Sequence, residues 1–273
     1  MQLEDLIPKQ AFNLPIVDLP KYIHAVSGIS TYRLKGRVVE LTGLVVKAIV
    51  PGVTGGELCY IQTINRKEPM KAEVVGFKED CVLLMPLGDL EGIGPGNDVL
   101  PTGSSLKVRV GDGLLGRVLD GLGDPMDVET HGPLKFQSEY PVHAAPPDPL
   151  TRKRILQPIS VGVKAIDAIL TCGEGQRIGI FAAAGVGKST LMGMLARNSE
   201  AEINVICLVG ERGRELRDFL EHDLGDEGLQ RSVVIVSTSD QPSLVRSKAA
   251  YVATAIAEYF RDQGRKVILM MDS

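Results

Sequence analysis

The pattern of hydrophobic and polar positions divides the chain into two parts, and the first part is made of short runs. Between residues 34 and 100, runs rich in Val, Ile and Leu alternate with turn residues such as Pro51-Gly52. The runs cover residues 36–41, 44–50, 58–61, 72–77 and 81–85. Many short strands joined by turns that contain Gly and Pro are typical of a small closed β-barrel, which we predict here.

Continuous apolar runs follow in the second part of the chain. Residues 101–104 indicate a linker, and residues 106–110 an alternating strand. Continuous apolar runs cover residues 205–209, 233–236 and 267–271, and a further short apolar strand is predicted over residues 177–181. Strands of this kind are buried on both faces, so they predict a parallel sheet that is covered by helices.

One covering helix can be recognised from its spacing. Between the second and third continuous runs, hydrophobic residues recur at alternating steps of four and three, at Val245, Ala249, Val252, Ile256 and Tyr259. This spacing places them on one face of a helix, which we expect to end at Gly264. The resulting βαβ array would bind ligands at the carboxyl ends of its strands.

Composition narrows the class of protein. A length of 273 residues, with 44% hydrophobic and 23% charged residues, suggests a soluble protein of about two domains. The chain has no Trp, only 4% aromatic residues and a net charge of −4, so it lacks both stacking platforms and a basic field for nucleic acid. We therefore expect no nucleic-acid partner.

Cysteine, histidine and the N-terminus each exclude a further class. The four cysteines form no C-x-x-C pair, so we expect ordinary reduced thiols that are mostly buried. The four histidines have no spacing typical of metal ligands. The first residues are acidic, and no apolar run approaches the ~18 residues of a membrane span. These features predict a cytoplasmic protein.

A small-residue loop follows the strand predicted over residues 177–181. It consists of Ala182, Ala183, Ala184, Gly185, Val186, Gly187, Lys188, Ser189 and Thr190. Backbone N–H groups freed by small residues can surround an anion, and the positive end of the following helix points at the same place. Lys188 would contact the β- and γ-phosphates, and the Ser189 hydroxyl would bind Mg²⁺.

Ala182 stands where the generic pattern G-x-x-x-x-G-K-[ST] has its first glycine. Alanine is the next smallest residue and is tolerated there if its φ is negative. The alternative interpretation is a strand-to-helix turn that binds no ligand. A second glycine pattern, G-x-G-x-x-G over residues 111–116, is rejected as a dinucleotide site, because the turn residues 120–125 leave no room for the helix that such a site requires.

Charged residues follow two of the predicted strands. Asp272 ends the run over residues 267–271, an arrangement that holds Mg²⁺, usually through a water. Glu211 follows the run over residues 205–209 and could orient an attacking water, while Arg212 could meet phosphate oxygens. On spacing alone, these residues could equally be a solvated charge cluster that opens a helix.

Five stretches together carry a family resemblance, which extends from about residue 112 to the end. They cover residues 113–123, 175–181, 185–189, 210–215 and 256–264. In these stretches the chain resembles the catalytic ATPase of type III protein secretion systems, flagellar or virulence-associated. It is more distantly similar to the catalytic subunit of rotary F-type ATP synthases. Ala182 is ordinary in the secretion family.

The resemblance implies an α/β fold in which a small N-terminal β-barrel precedes a RecA-like P-loop ATPase core. That core has a parallel sheet flanked by helices, and here it is expected to be truncated after the Walker B strand. The expected domains are an N-terminal arm over residues 1–27, the barrel over 28–100 and an incomplete ATPase domain over 101–273.

The resemblance also implies a role for each candidate residue. Lys188 and Ser189 would bind ATP and Mg²⁺, and Glu211 would be the catalytic carboxylate. Arg212 would contact the γ-phosphate, Asp272 would support the metal, and Glu215 would support it indirectly. A carboxylate at position 211 favours a catalytic subunit over a non-catalytic one.

The partners implied by the resemblance are those of an export machine. Family members form a homohexameric ring at the cytoplasmic base of the apparatus, peripheral to the inner membrane. The ring would contact the membrane export apparatus, stalk and stator-like proteins, and chaperone–substrate complexes, and would use ATP to release chaperones and unfold substrates. Residues 259–264 and 270–273 favour an injectisome over a flagellum.

The sequence ends one residue after Asp272. Family members continue with further strands, an arginine finger and an adenine-contacting segment, so we expect a fragment that hydrolyses ATP slowly. Two alternatives stay open at this point. One is another ring ATPase of the rotary class, and the other is a non-catalytic nucleotide-binding assembly subunit.

Overall fold

A closed antiparallel barrel forms the first part of the fold in the computed structural model, which describes Leu19 and residues 34–63, 68–183 and 185–272. The arm expected over residues 1–27 lies outside the described residues apart from Leu19. The barrel strands follow one another in space as β1-β2-β5-β4-β3-β6. Their bounds are β1 Gly36–Thr42, β2 Val45–Ile49, β3 Glu57–Ile61, β4 Met70–Lys78, β5 Cys81–Pro86 and β6 Asp98–Ser105.

Alternation of side chains between the two faces of each strand fills the barrel. On β2 and β5 the inward residues Val46, Ala48, Val82 and Leu84 are at most 4% exposed, whereas their neighbours are more accessible. One apolar cluster joins them to residues of the other four strands. The predicted barrel is therefore confirmed.

Strand β6 corrects one prediction. Residues 101–104 belong to this strand and are not a linker. Pro101 pairs with Cys59 next to an irregularity in β3, where the regular ladder is interrupted and a missing N–H is tolerated. The Gly103 N–H donates to the buried carboxylate of Glu57 at 2.8 Å, which holds the end of β6 in place.

Short elements connect the barrel to the second part of the chain. Strands β7 (Lys107–Val110) and β9 (Ser138–Pro141) pair antiparallel, as do β10 (Pro158–Ile159) and β11 (Cys172–Gly173). After residue 111 the chain makes a 3₁₀ turn and then the strand β8 (Arg117–Asp120). The helix that a dinucleotide site requires does not follow the third glycine, which agrees with the rejection of that site. The remaining short elements are α1 Val128–His131, 3₁₀ turns at Asp112–Leu114 and Pro149–Thr151, and a π-helical turn at Ile166–Leu170.

Four parallel strands form the sheet of the second part, in the order β14-β12-β13-β8. Strands β12 (Ile203–Val209), β13 (Ser232–Ser237) and β14 (Val267–Asp272) are the three predicted apolar runs. The helices are α2 Lys188–Asn198, α3 Gly213–Asp218, α4 Gly225–Gln230 and α5 Ser243–Asp262, with a π-helical turn at Phe219–Leu224.

Helices cover both faces of this sheet. Ile203, Val205 and Cys207 of β12 pack in the same cluster as the buried face of α5. Ile206 and Leu208 of the same strand pack in the cluster that contains α2. Because consecutive residues of a strand point to opposite faces, this split shows why residues 205–209 of β12 are all apolar. The predicted parallel sheet and the predicted face of α5 are confirmed.

The prediction of a short strand over residues 177–181 was wrong. These residues form no ladder, and Ile178 is 53% and Phe181 96% exposed. An apolar run becomes a strand only where another strand offers its N–H and C=O groups, and in the described residues no strand of the sheet runs beside it.

The four cysteines are free thiols and mostly buried, as predicted. Cys59, Cys172 and Cys207 are buried free thiols and Cys81 is partly buried. Burial raises the pKa of Cys59 to about 11 and of Cys207 to about 12, so these two thiols are poor nucleophiles. No helix among the described residues has the length and apolar character needed to span a bilayer.

Helix α2 is fixed at two places. At Gly193 a Cβ atom would lie 2.3 Å from the Asp223 carbonyl oxygen, so the helix touches the backbone of the 219–224 turn. At its C-terminus, the Arg231 guanidinium donates to the carbonyl oxygens of Ala196, Ser199 and Ala201. Arg231 thereby satisfies helix-end carbonyls and places a positive charge at the negative end of the helix dipole.

We expect Arg231→Ala to lower the free energy of unfolding by about 1–3 kcal/mol, because it removes charge-assisted hydrogen bonds and leaves carbonyls unpaired. Arg217→Ala is the matched control, since Arg217 is 81% exposed and pairs with Glu221 at 3.7 Å. This control should cost less than about 1 kcal/mol. Urea unfolding followed by circular dichroism measures both, and equal costs for the two variants would contradict the capping role of Arg231.

Candidate active site

The small-residue loop lies between residue 181 and the start of α2, and its glycines adopt the conformation that only glycine tolerates well. Gly185 has φ 78° and Gly187 φ 95°. Among the described residues Glu79 is the one non-glycine residue with positive φ, so Ala182 meets the condition for replacing glycine. Ala183 and Val186 are exposed, and Ala184 lies outside the described residues.

Lys188 connects this loop to the sheet. It is the first residue of α2, and its Nζ lies 2.5 Å from Oδ1 of Asp272, the last residue of β14. Asp272 is 4% exposed, whereas the Lys188 side chain is 33% exposed. The hydrogen bond to Asp272 raises the pKa of Lys188, and the negative charge of Glu211 adds to the effect. The ammonium therefore stays charged where the loop meets the sheet.

A cavity next to this ion pair collects the predicted acidic residues. Its lining includes Ser189, Glu211, Glu215 and Asp272. The pKa of Glu211 is raised first by its hydrogen bond to Glu215, then by burial and by the negative charge of Asp272, and Lys188 opposes this shift. Glu211 therefore takes up a proton more readily than an isolated carboxyl would.

The main chain fixes Glu211 at the end of β12. Gly210 before it has φ 79° and donates its N–H to the Ser237 carbonyl at 2.8 Å. The Glu211 carbonyl accepts the N–H of Ser239 at 3.2 Å. These two hydrogen bonds, to the end of β13 and to the loop that follows it, therefore orient the chain where it leaves the sheet. Glu215 follows four residues after Glu211.

Arg212 and Thr190 do not join this cavity lining. Arg212 precedes α3, its side chain is 68% exposed, and Nη1 lies 4.0 Å from Glu215 Oε1. Thr190 is exposed on α2. For Arg212 the geometry is that of a solvated charge at a helix start, whereas Glu211 is half-buried and faces Lys188 and Asp272. The phosphate-contacting role of Arg212 stays a prediction.

An apolar wall of the cavity was missed by the sequence analysis. It consists of Met192, Leu208, Leu216 and Phe219. The spacing of Leu216 and Phe219 places them on one side of a helix, and Met192 follows Ser189 by one helical turn. This spacing could have identified the wall, which limits access of water to Glu211.

The donor atoms around the cavity fit Mg²⁺. A hydroxyl from Ser189 and carboxylates from Asp272 and Glu215 are the oxygen ligands that this ion prefers. Within the described part of the chain, no three His, Cys, Asp or Glu side chains are grouped closely enough to hold a metal by themselves. Mg²⁺ in nucleotide sites takes most of its ligands from phosphates and water.

Two family models match the chain. The nucleotide-binding domain of the ATP synthase alpha/beta family matches residues 162–273, and the beta-barrel domain of the same family matches residues 38–103. The chain belongs to this family. Its barrel and its parallel sheet correspond to the two matched domains, so the predicted fold class is confirmed.

Curated relatives support the predicted resemblance. The chain is 52% identical over 254 residues to the flagellum-specific ATP synthase of Bacillus subtilis, covering 92% of this chain and 57% of the relative. It is also 52% identical over 241 residues to the type 3 secretion system ATPase of Xanthomonas euvesicatoria, covering 88% and 54%. The chain thus spans just over half of the length of these relatives. Since flagellar and secretion relatives are equally similar, the injectisome assignment stays a prediction.

Two solved structures of a type III secretion ATPase are also similar to this chain. The assembled ATPase EscN of the enteropathogenic E. coli type III secretion system has a TM-score of 0.75 and 46% identity, over 87% of this chain and 56% of that chain. EscN in complex with its central stalk EscO has a TM-score of 0.79 and 47% identity, over 87% and 57%.

We expect Glu215→Gln to lower the pKa of Glu211, because the substitution replaces an acidic neighbour with a neutral hydrogen-bond donor. NMR titration of the Glu side-chain carboxyl carbons measures this pKa in both proteins. Glu221→Gln is the control, because Glu221 is 60% exposed and pairs with Arg217 outside the cavity. An unchanged Glu211 pKa in the Glu215 variant would show that Glu215 does not raise it.

Proposed function

We propose that this chain binds Mg-ATP at residues 182–190 and hydrolyses it as part of a type III protein export ATPase. The observation that carries the proposal is the contact between Lys188 and Asp272 at the carboxyl edge of the parallel sheet, beside the cavity lined by Glu211. Parallel α/β sheets bind their ligands at this edge. The similarity to flagellar and secretion ATPases supports the export role.

Each residue has a defined part in the proposed reaction. The N–H groups of residues 182–187 and the α2 N-terminus receive phosphate oxygens, and Lys188 adds a positive charge. Ser189 would bind the Mg²⁺ that accompanies ATP, with Asp272 and Glu215 supporting it. Mg²⁺ supplies positive charge that stabilises the phosphoryl oxygens in the transition state.

Glu211 is the proposed catalytic carboxylate. It is half-buried next to the apolar wall, where a water aimed at the γ-phosphate would be held away from bulk solvent. The raised pKa of Glu211, caused first by its hydrogen bond to Glu215, favours acceptance of a proton from that water. Arg212 is proposed to contact the γ-phosphate, as the similarity to secretion ATPases suggests.

The assembly belongs to the same proposal. We infer a homohexameric ring at the cytoplasmic face of the inner membrane, with stalk and stator-like proteins and chaperone–substrate complexes as partners. Among structural relatives, EscN is assembled and is found in complex with its central stalk EscO. That similarity supports self-assembly and a stalk partner. The other components of the apparatus would determine which substrates are exported.

Lys188→Met should weaken Mg-ATP binding to the 273-residue chain by about 10- to 150-fold, the equivalent of losing a hydrogen bond to a charged group. Isothermal titration calorimetry measures the Kd. Lys164→Met is the control, because Lys164 is exposed and away from the loop. Lys188→Arg keeps a charge opposite the buried Asp272 and separates a folding defect from a binding defect. Unchanged affinity in a folded Lys188→Met variant would contradict nucleotide binding at this loop.

Glu211→Gln should lower ATP turnover by at least about 100-fold while leaving the Kd for Mg-ATP within about threefold, because only the transition state requires the carboxylate. The measurement uses a chimera in which residues 34–272 replace the matching part of the Bacillus subtilis relative, which supplies the remaining length. Glu221→Gln in the same chimera is the control. Full turnover in the Glu211 variant would contradict the catalytic role of Glu211, whereas no turnover in the unsubstituted chimera would favour a non-catalytic assembly subunit.

A further inference from the structure

Three side chains from three separate parts of the chain meet where the barrel contacts α5. Glu73 lies on barrel strand β4, His143 follows β9, and Lys248 lies in the second turn of α5. Lys248 Nζ is 2.6 Å from Glu73 Oε2 and 2.7 Å from His143 Nε2. The side chains of Lys248 and Glu73 are 5% and 15% exposed. None of the three belongs to the nucleotide loop or to the cavity beside it.

The hydrogen-bond inventory of this cluster fixes the state of His143. A lysine ammonium can donate but has no acceptor, so Nε2 of His143 must be the acceptor and the ring proton must sit on Nδ1. Lys248 Nζ and Glu73 Oε2 meet as an ion pair outside the hydrogen-bonding direction. Within the described part of the chain, His143 therefore supplies the one side-chain hydrogen-bond acceptor of this buried ammonium.

Protonation of His143 would break the arrangement. Nε2 would become a donor, and a second positive charge would lie 2.7 Å from the first. The charged and titratable groups that face the ring are Glu73 from β4, and Lys248 and Tyr251 from α5, with the Tyr251 ring centroid 4.4 Å away. Burial and the charge of Lys248 lower the pKa of His143, and Glu73 opposes this shift. The ring is accessible to solvent protons.

A second set of ion pairs links the same face of β4 to the second part of the chain. Lys71, two residues before Glu73, lies 2.6 Å from Asp124 Oδ2, and Arg109 Nη2 lies 2.5 Å from Asp124 Oδ1. These side chains are 28–39% exposed, so solvent screens them much more than Lys248 and Glu73. This set provides an internal comparison for the buried pair of Lys248 and Glu73.

Helix α5 also leads to the candidate active site. The loop that joins β13 to α5 contains Ser239, whose N–H donates to the Glu211 carbonyl. Lys248 follows this loop within the first turns of α5. A change in how α5 rests on the barrel therefore acts on the loop that orients Glu211.

We propose that Glu73, Lys248 and His143 form a proton-sensitive latch, which holds barrel strand β4 against α5 and opens when His143 takes up a proton. The latch is independent of nucleotide binding, so it would stand even if this chain bound no ATP.

The first experiment tests the latch at neutral pH. Glu73→Gln and Lys248→Met in the 273-residue chain should each lower the midpoint of thermal unfolding by about 5–10 °C, because each leaves a buried charge unpaired. The double variant should lose clearly less than the sum, since the two residues act together. Lys71→Met is the matched control on the same strand and should shift the midpoint by at most about 3 °C. Losses no larger than those of this control would overturn the latch.

The second experiment tests proton sensitivity. A histidine whose pKa is lowered by folding stabilises the fold above its unfolded pKa, about 6.5, and this stability is lost as pH falls. Below pH 6.5 the unfolding constant should therefore rise, by up to tenfold per pH unit for one proton. His143→Gln should remove this part of the pH dependence, while His131→Gln, at an exposed site, should keep it. An identical pH profile in wild type and His143→Gln would overturn the proposal.

A folding failure of Lys248→Met would not leave the question open. Glu73→Gln is nearly isosteric, and His143→Gln keeps an acceptor oxygen for Lys248, so both retain the packing of the cluster. In wild type, hydrogen exchange of the β4 and α5 amides at pH 5.5 and 7.5, corrected for intrinsic rates, provides the last readout. Faster exchange at pH 5.5 in these elements supports the latch, and equal protection at both pH values rejects it.

Discussion

The structure depends on a buried carboxylate that needs a positive partner. Asp272 ends the strand at one edge of the sheet, where it is almost inaccessible to water. A buried charge without a counter-charge costs several kcal/mol, so the lysine that follows the phosphate loop is held against it. This pair fixes the start of α2 over the carboxyl ends of the strands. In the proposed function, phosphates that attract Lys188 would leave Asp272 in need of another cation, which is the requirement that Mg²⁺ fulfils.

The sequence predicts strands well where burial alone decides them. Residues 205–209 are apolar on both faces because α5 covers one face and α2 the other, and this composition is sufficient to identify a central strand. Residues 177–181 have a similar composition, but a strand also needs a neighbouring ladder, which no local pattern reveals. Pro101 and Gly103 indicate a linker by composition, yet a bulge in β3 and the carboxylate of Glu57 accommodate both within β6.

The residues of the candidate site also differ in how well the sequence predicts them. Lys188, Ser189 and Asp272 could be named from short motifs, because each motif carries its own backbone geometry. The raised pKa of Glu211 depends on the hydrogen bond to Glu215 in α3 and on burial, which spacing does not provide. The cluster of Glu73, His143 and Lys248 could not be predicted, since its members are far apart in sequence and none belongs to a motif.

The missing side chain at Gly193 has a mechanical consequence. Because backbone touches backbone there, α2 cannot slide along the 219–224 turn without a steric clash. That turn continues directly from α3, which carries Glu215. The helix that begins at Lys188 and the segment that continues from α3 are therefore joined by a direct backbone contact. In the proposed function, this contact would link the position of a bound phosphate to the position of Glu215.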